Sequence, residues 1–363
     1  MNLDALSRRA MHGNVPLSVM LEITGRCNLD CQHCYLDIKH PPEEMTTAEI
    51  FSILEQLAQA GTFFLTITGG EVMLRKDLVP ILRRARELGF ALRVFTSGTR
   101  MTWSLARELA QLELVAVEMS LYGTRCDVHD TITRRPGSHR KTLRAALMLK
   151  RLGVKVVLKA PMLSSLEGDH TAFMSLTKRV GAVGRIDPAV MVRRDGDTTP
   201  AGLRASTDAL VRAFREVGSY TPGVALPPPV HPDNAPCAIA RRTARIAPDG
   251  SVFPCATYPH PVGSLRDQSF REIWWGDSEL LARLRAFTFK DVGATCGGCS
   301  KSGYCSRCLA LALIEHGDEK APLEEACRVA HAKDLAVENG AAPPPGLAAT
   351  GERRRRALPI VAS

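Results

Sequence analysis

The sequence predicts an α/β fold, a partial (β/α)6 barrel of parallel strands followed by a small C-terminal cysteine-rich domain. Three observations predict it. Between about residues 16 and 217, six short apolar runs rich in branched residues alternate with amphipathic helical patterns. Residues 218–236 are crowded with proline and break that alternation. Ten of the eleven cysteines fall in two groups, one directly after the first strand and one beyond the prolines. Six strand and helix units are too few for an eight-fold barrel but suit an open one, with its functional face at the carboxyl ends of the strands.

The strands are expected at 16–24, 63–68, 91–96, 114–121, 154–161 and 185–192. The first helix has its punctuation written out: Thr46 caps it with Glu49 three residues on, Ile50, Ile53, Leu54 and Leu57 share one face, and Gly61 stops it. The next repeats the design, with Asp77 as cap, Leu78, Ile81, Leu82 and Ala85 as the stripe, and Gly89 as the stop. Beyond the proline-rich junction, 243–246 and 251–253 read as a hairpin turned by Pro248, Asp249 and Gly250, and 269–275 as a short helix. This region has too few apolar residues for a core of its own, so metal is its expected staple. The domains are therefore expected at 1–217 and 237–335, with 218–236 as junction and 336–363 as a disordered basic tail.

Composition excludes several function classes. The longest apolar runs, such as 154–158 interrupted by Lys155, fall far short of the roughly 20 residues of a membrane helix, and the start lacks a signal-peptide pattern. A cytoplasmic protein with no membrane partner is the expectation. The net charge of +9 includes the arginine run 353–356, but no aromatic residues are interleaved with it, so no nucleic-acid role is read from it. Eleven cysteines clustered in a chain of 363 residues without an export signal point to metal ligation rather than disulfides.

Cys27, Cys31 and Cys34 stand within eight residues in a loop after the first strand. Three thiolates hold three corners of a 4Fe-4S cube and leave one iron open, able to chelate the amino and carboxylate groups of S-adenosylmethionine. A structural zinc is the competing reading, but it wants four closed ligands and no fourth stands nearby. This C-x3-C-x2-C spacing resembles the signature of the radical S-adenosylmethionine (SAM) superfamily. Gly69, Gly70 and Glu71, about 35 residues on and at a strand end, resemble its glycine-rich loop, in which the backbone approaches the ligand and an acid meets the methionine ammonium. The superfamily usually has proline after the acid, and Val72 stands here instead. The resemblance also implies cofactor contacts for Ser97, Ser120 and His33, the two serines having turn hydrogen bonding as their alternative. Lys159 is left open between an acidic group and solvent, and Cys126 reads as a small, part-buried thiol.

The second group runs Cys237, Gly250, Cys255, then Cys296, Cys299, Cys305 and Cys308 as C-x2-C-x5-C-x2-C, and finally Cys327. With Ala247 to Cys255 and the later Gly263, Ile273 and Trp274, it resembles the SPASM extension of radical SAM enzymes, which carries auxiliary 4Fe-4S clusters. Two departures stand out: the last quartet spacing is two residues where the family commonly has three, and seven cysteines cannot fully ligate two cubes. The family pattern implies that Cys296, Cys299, Cys305 and Cys327 close one cluster and that Cys237, Cys255 and Cys308 hold the other. His231, Asp233, water or a substrate thiolate is then the fourth ligand. Paired C-x2-C units also resemble a zinc ribbon, which is the competing reading.

Together the resemblances cover roughly residues 16 to 330. They imply an enzyme that cleaves SAM reductively and oxidatively modifies a peptide or protein substrate. An electron donor such as flavodoxin or ferredoxin is implied, and a separate peptide-recognition protein is expected to present the substrate. A tetrapyrrole-tailoring enzyme is the alternative, for which Arg193 and Arg194 at the sixth strand end would meet carboxylates, or simply form a surface salt pair. An iron-sulfur or zinc redox sensor or scaffold is the non-enzyme alternative.

Overall fold

The computed structural model describes residues 3–36, 42–216 and 230–338. The expected basic tail beyond Glu338 and most of the proline-rich junction lie outside these residues. Among the described residues the order is α1 (Leu3–His12), β1 (Ser18–Thr24), α2 (Thr47–Gln59), β2 (Phe64–Gly69), α3 (Leu78–Glu87), β3 (Ala91–Thr96), α4 (Trp103–Gln111), β4 (Ala116–Ser120), α5 (Cys126–Thr133), α6 (Ser138–Arg151), β5 (Val156–Pro161), α7 (His170–Val180), β6 (Val183–Asp187) and α8 (Thr207–Glu216). The C-terminal part adds β7 (Thr243–Ile246), β8 (Ser251–Phe253), β9 (Gly263–Ser264), α9 (Phe270–Trp275), α10 (Glu279–Ala286), α11 (Ala294–Gly297), α12 (Leu309–His316) and α13 (Glu324–Glu338).

All strands join one sheet in the order β6-β5-β4-β3-β2-β1-β7-β8-β9, with β6 through β7 mutually parallel and β7, β8 and β9 antiparallel. The six expected barrel strands are present. The sixth lies at Val183–Asp187 rather than 185–192, because Pro188 has no N–H to offer the ladder and ends the strand before it. The hairpin does not stand apart: β7 pairs with β1 in parallel from Ser18↔Thr243 to Leu21↔Ile246, so the cysteine-rich part continues the barrel sheet.

Successive strand side chains point to opposite faces, and this sorts the barrel. Val19, Leu21, Ile23, Leu65, Ile67, Leu92, Val94, Val117, Met119, Val156 and Leu158 face the helices and form one buried core with Ile50, Leu54, Leu57, Ile81 and Leu82. Glu22, Glu118, Lys159 and Arg245 alternate with them and line the concave face. Both predicted helix stripes are buried as expected. Thr46 and Glu49 form the full capping box. Asp77 does not: it sits at the start of α3 without capping it, because Arg75 and Thr47 take its carboxylate at 2.6 Å each.

Candidate functional site

The first cysteine group occupies the loop after β1, and β2 and α5 hold that loop from two sides. Gly70 donates its N–H to Thr24 O at 2.9 Å and Glu71 donates to Arg26 O at 2.8 Å. A methyl group on Gly69 would stand 2.2 Å from Thr24 O, and one on Gly70 2.2 Å from Arg26 O. The glycine pair therefore lets the end of β2 lie against the backbone that leads into the cysteines. On the other side, Gln32 donates to Ile132 O at 2.9 Å and Asp30 to Thr133 O at 3.2 Å. Asp130 in turn anchors the start of α6 through Gly137 N (2.6 Å), Ser138 Oγ (2.9 Å) and His139 N (2.9 Å).

Glu71 is fully buried, and its carboxylate accepts from Thr96 Oγ1 at 2.6 Å, from Met73 N at 3.1 Å and from both the amide and the hydroxyl of Ser97. It thus ties the end of β2 to the end of β3, and Ser97 spends its hydroxyl there. Thr99, bonded to Ser97 Oγ at 2.8 Å, accepts from Asn28 Nδ2 at 2.9 Å, which carries the network into the cysteine loop. The Tyr122 ring meets His33 edge-on at 4.6 Å and stacks on His129 at 5.3 Å. The Tyr122 amide donates to His129 Nδ1 at 2.9 Å. Burial holds the His33 imidazole near pKa 4, so it is neutral at pH 7.

Burial pushes Cys27 up to about 11, and it raises Cys31 and Cys34 as well, with Cys34 adding repulsion to Cys27 and both of these adding it to Cys31. Iron would supply the charge that lets these groups ionise as ligands. The seven distal cysteines sort themselves in the same way. Burial raises Cys237 and Cys308 to about 12 and also raises Cys255, and Cys255 repels both. Cys305, pushed by burial to about 11, feels Cys327, Cys296 and Cys299 instead. Among the described residues no three ligating side chains meet at a single-ion site. The all-thiol donor set and the grouping into three, three and four fit iron-sulfur clusters.

Other expectations fare differently. Cys126 is exposed at the start of α5, not part-buried. Lys159 meets Glu118 at 3.1 Å and lies over the Phe95 ring. Arg193 pairs with Asp197 at 3.4 Å, but Arg194 is no surface residue: it reaches in to Glu22 at 2.7 Å and covers the Tyr35 ring. His231 and Asp233 are exposed and meet each other, and Asp233 also pairs with Lys290. Sequence reasoning missed Tyr122, His129 and the pair Glu22 and Arg245 that meets Arg194. For the last, the available signal was a charged residue inside an otherwise apolar strand, at Glu22 and at Arg245.

Comparison with known proteins bears directly on this geometry. Residues 21–169 match the radical SAM superfamily and residues 237–308 match an iron-sulfur cluster-binding domain, SPASM. A PqqA peptide cyclase of Xanthomonas campestris pv. campestris is 31% identical over 360 residues, covering 91% of this chain and 92% of that protein. The chain belongs to the radical SAM superfamily. It carries the SPASM extension, and its cofactors are those of that family: a 4Fe-4S cluster with SAM, and auxiliary clusters. An AdoMet-dependent heme synthase of Methanosarcina barkeri is 24% identical over 332 residues, 84% of this chain and 94% of that one. Among solved structures, Streptococcus suis SuiB bound to S-adenosylmethionine superposes with a TM-score of 0.70 at 16% identity, over 89% of this radical SAM chain and 81% of SuiB. The enzyme anSMEcpe, with bound AdoMet and a peptide, gives 0.66 at 16% identity, over 88% and 96%. Both share the fold. No helix among the described residues is long and apolar enough to cross a membrane.

Proposed function

We propose that this radical SAM protein is a maturase that oxidatively modifies a ribosomally made peptide or a protein. The near full-length match to a PqqA peptide cyclase carries this reading. Peptide-bound structures among the shared folds support it.

In this reading Cys27, Cys31 and Cys34 hold the SAM-binding cluster. Cys296, Cys299, Cys305 and Cys327 close one auxiliary cluster, and Cys237, Cys255 and Cys308 hold the second. Held there, the cluster and SAM would supply radical chemistry able to act on an unactivated carbon-hydrogen bond. The chain's own residues position and exclude water. Gly69 and Gly70 bring the β2 backbone close, Glu71 and Ser97 lock the neighbouring strand ends, and Ser120, His33 and Tyr122 wall the loop on its far side. An electron donor such as flavodoxin or ferredoxin, and a separate peptide-recognition protein, complete the system in the cytoplasm.

Anaerobic co-expression with the small open reading frames flanking the gene, followed by mass spectrometry of their products, tests the reading. The expected result is a loss of about two mass units, absent when Cys27, Cys31 and Cys34 are all replaced by alanine. Unmodified peptides in cells where SAM is still cleaved would overturn it and favour tetrapyrrole tailoring, the reading that the heme synthase relative supports.

A further inference from the structure

The distal cysteine quartet departs from the family spacing at one place, and Arg307 stands there. Only Ser306 and Arg307 separate Cys305 from Cys308, so Arg307 lies between a cysteine of the four-thiol set and one of the three-thiol set. It is 4% exposed. Its guanidinium donates to Cys296 Sγ, in α11, at 3.5 Å and to Glu319 O at 2.7 Å, and its Nε–H is buried without a hydrogen-bond partner among the described residues. Neither of its two partners is a carboxylate: the Glu319 side chain is taken by Arg283 and by the Tyr258 hydroxyl.

A guanidinium does not shed its proton, and burying it without a counter-charge is strongly unfavourable. The counter-charge beside Arg307 is the thiolate set itself. Cys296, Cys299, Cys305 and Cys327, ionised around iron, carry a net negative charge, and the hydrogen bond to Cys296 Sγ joins Arg307 to it directly. The Glu319 carbonyl holds the other arm of the guanidinium, so the donor is fixed on that sulfur. Lys333 of α13, also buried, donates to Tyr304 O at 3.0 Å, next to Cys305, and adds a second cation near this set. Such a contact discriminates between oxidation states. One-electron reduction adds a negative charge to a cluster, and a fixed cationic donor to one of its sulfurs stabilises the reduced form more than the oxidised one.

Resting on the iron-sulfur reading of Cys296, Cys299, Cys305 and Cys327, we infer that Arg307 is the counter-ion of that auxiliary cluster and raises its reduction potential through the Cys296 thiolate. The cluster is thereby easier to reduce than its four thiolates alone would make it. Arg307 acts through a ligand and is a positioning residue, not a catalytic one.

The test uses the full-length chain, reconstituted anaerobically, with Cys27, Cys31 and Cys34 replaced by alanine so that only auxiliary clusters report. Iron and acid-labile sulfide are counted, and reduction by dithionite is followed by electron paramagnetic resonance in a potential titration. Arg307→Gln is expected to keep the iron count and to lower the reduced-to-oxidised ratio of one cluster about tenfold at a fixed solution potential, a shift of about 59 mV. Arg307→Lys keeps the positive charge and is expected to retain most of that ratio. The affected signal is expected to be lost, and the other kept, when Cys296 and Cys299 are both replaced by alanine. If that double replacement leaves the iron count unchanged, or if the sites hold zinc, the cluster reading fails and the inference falls with it. If iron is lost as expected but Arg307→Gln leaves the potentials unchanged, or shifts only the surviving signal, the inference is overturned and the cluster reading stands. Where Arg307→Gln itself loses iron, the lysine variant decides. Iron kept by lysine supports the counter-ion, and equal loss in both variants makes Arg307 a matter of shape and overturns the inference.

Discussion

At the scale of single residues, the decisive positions are those where backbone passes backbone. Gly70 has the most demanding one: its missing side chain is replaced in space by Arg26 O, with no flexible atom to yield. Gly70→Ala is therefore expected to lose about 2 to 4 kcal/mol of stability in chemical denaturation. Gly202→Ala, where nothing lies within 4 Å, serves as the control and is expected to stay within about 0.5 kcal/mol. Equal effects at both positions would remove the packing role assigned to the glycine pair. The same residues illustrate what a motif conceals. As a pattern, Gly69, Gly70 and Glu71 point to a ligand, and in the structure they also bond or pack against Thr24, Arg26, Thr96 and Ser97. The motif shapes the site by fixing strand ends around it.

At the scale of elements, the barrel's first turn is knitted by Arg75. Its guanidinium donates to Ile23 O at 2.8 Å and Met45 O at 2.9 Å and pairs with Asp77 at 2.6 Å, while Asp77 also accepts from Thr47. One side chain thus joins β1, the start of α2 and the start of α3. The hydrogen bonds from Arg75 outweigh partial burial and hold the Asp77 carboxyl at about 2, below its ordinary 3.8. A depressed carboxyl stabilises the fold above its unfolded pKa, and that contribution is lost as pH falls from about 4 towards 2. Screening at this half-open position limits it to about 1 kcal/mol. Asp77→Asn should remove that acid-side loss, so that wild type and variant converge in thermal stability near pH 2 and separate above pH 4. A constant gap across that range would contradict the assignment. Asp77 also shows why cap prediction fails locally: spacing made it a helix cap, but an arginine two residues away offered its carboxylate two charged donors instead.

At the scale of the molecule, the shared sheet matters most. Because β7 pairs with β1, the cysteine-rich part covers what would otherwise be an open edge of the barrel's first strand, carrying Val19 and Leu21. A fragment ending at residue 236 would expose that edge and is expected to aggregate, eluting in the void volume in size exclusion while the full chain does not. A monodisperse, folded fragment would show that the edge is tolerated. The same pairing brings Arg245 beside Glu22, and so creates the buried charged group of the concave face.

The sequence by itself determined the α/β class, the six barrel strands, the capped second helix, and the two cysteine groups with their resemblance to radical SAM and SPASM proteins. These are legible because they are local: an apolar period, a cap three residues from its partner, or thiols within one loop depend on near neighbours alone. Even there, Pro188 moved the sixth strand, since the ladder needs an N–H that apolar patterning does not record. Only the tertiary structure decided that β7 continues the barrel sheet, that the Tyr122 ring packs against His33 and His129, that Arg194 turns inward, and that Glu22, Arg194 and Arg245 meet. These contacts join residues as far apart as 22 and 245, and the pairing depends on sheet order and strand register, which no single segment encodes.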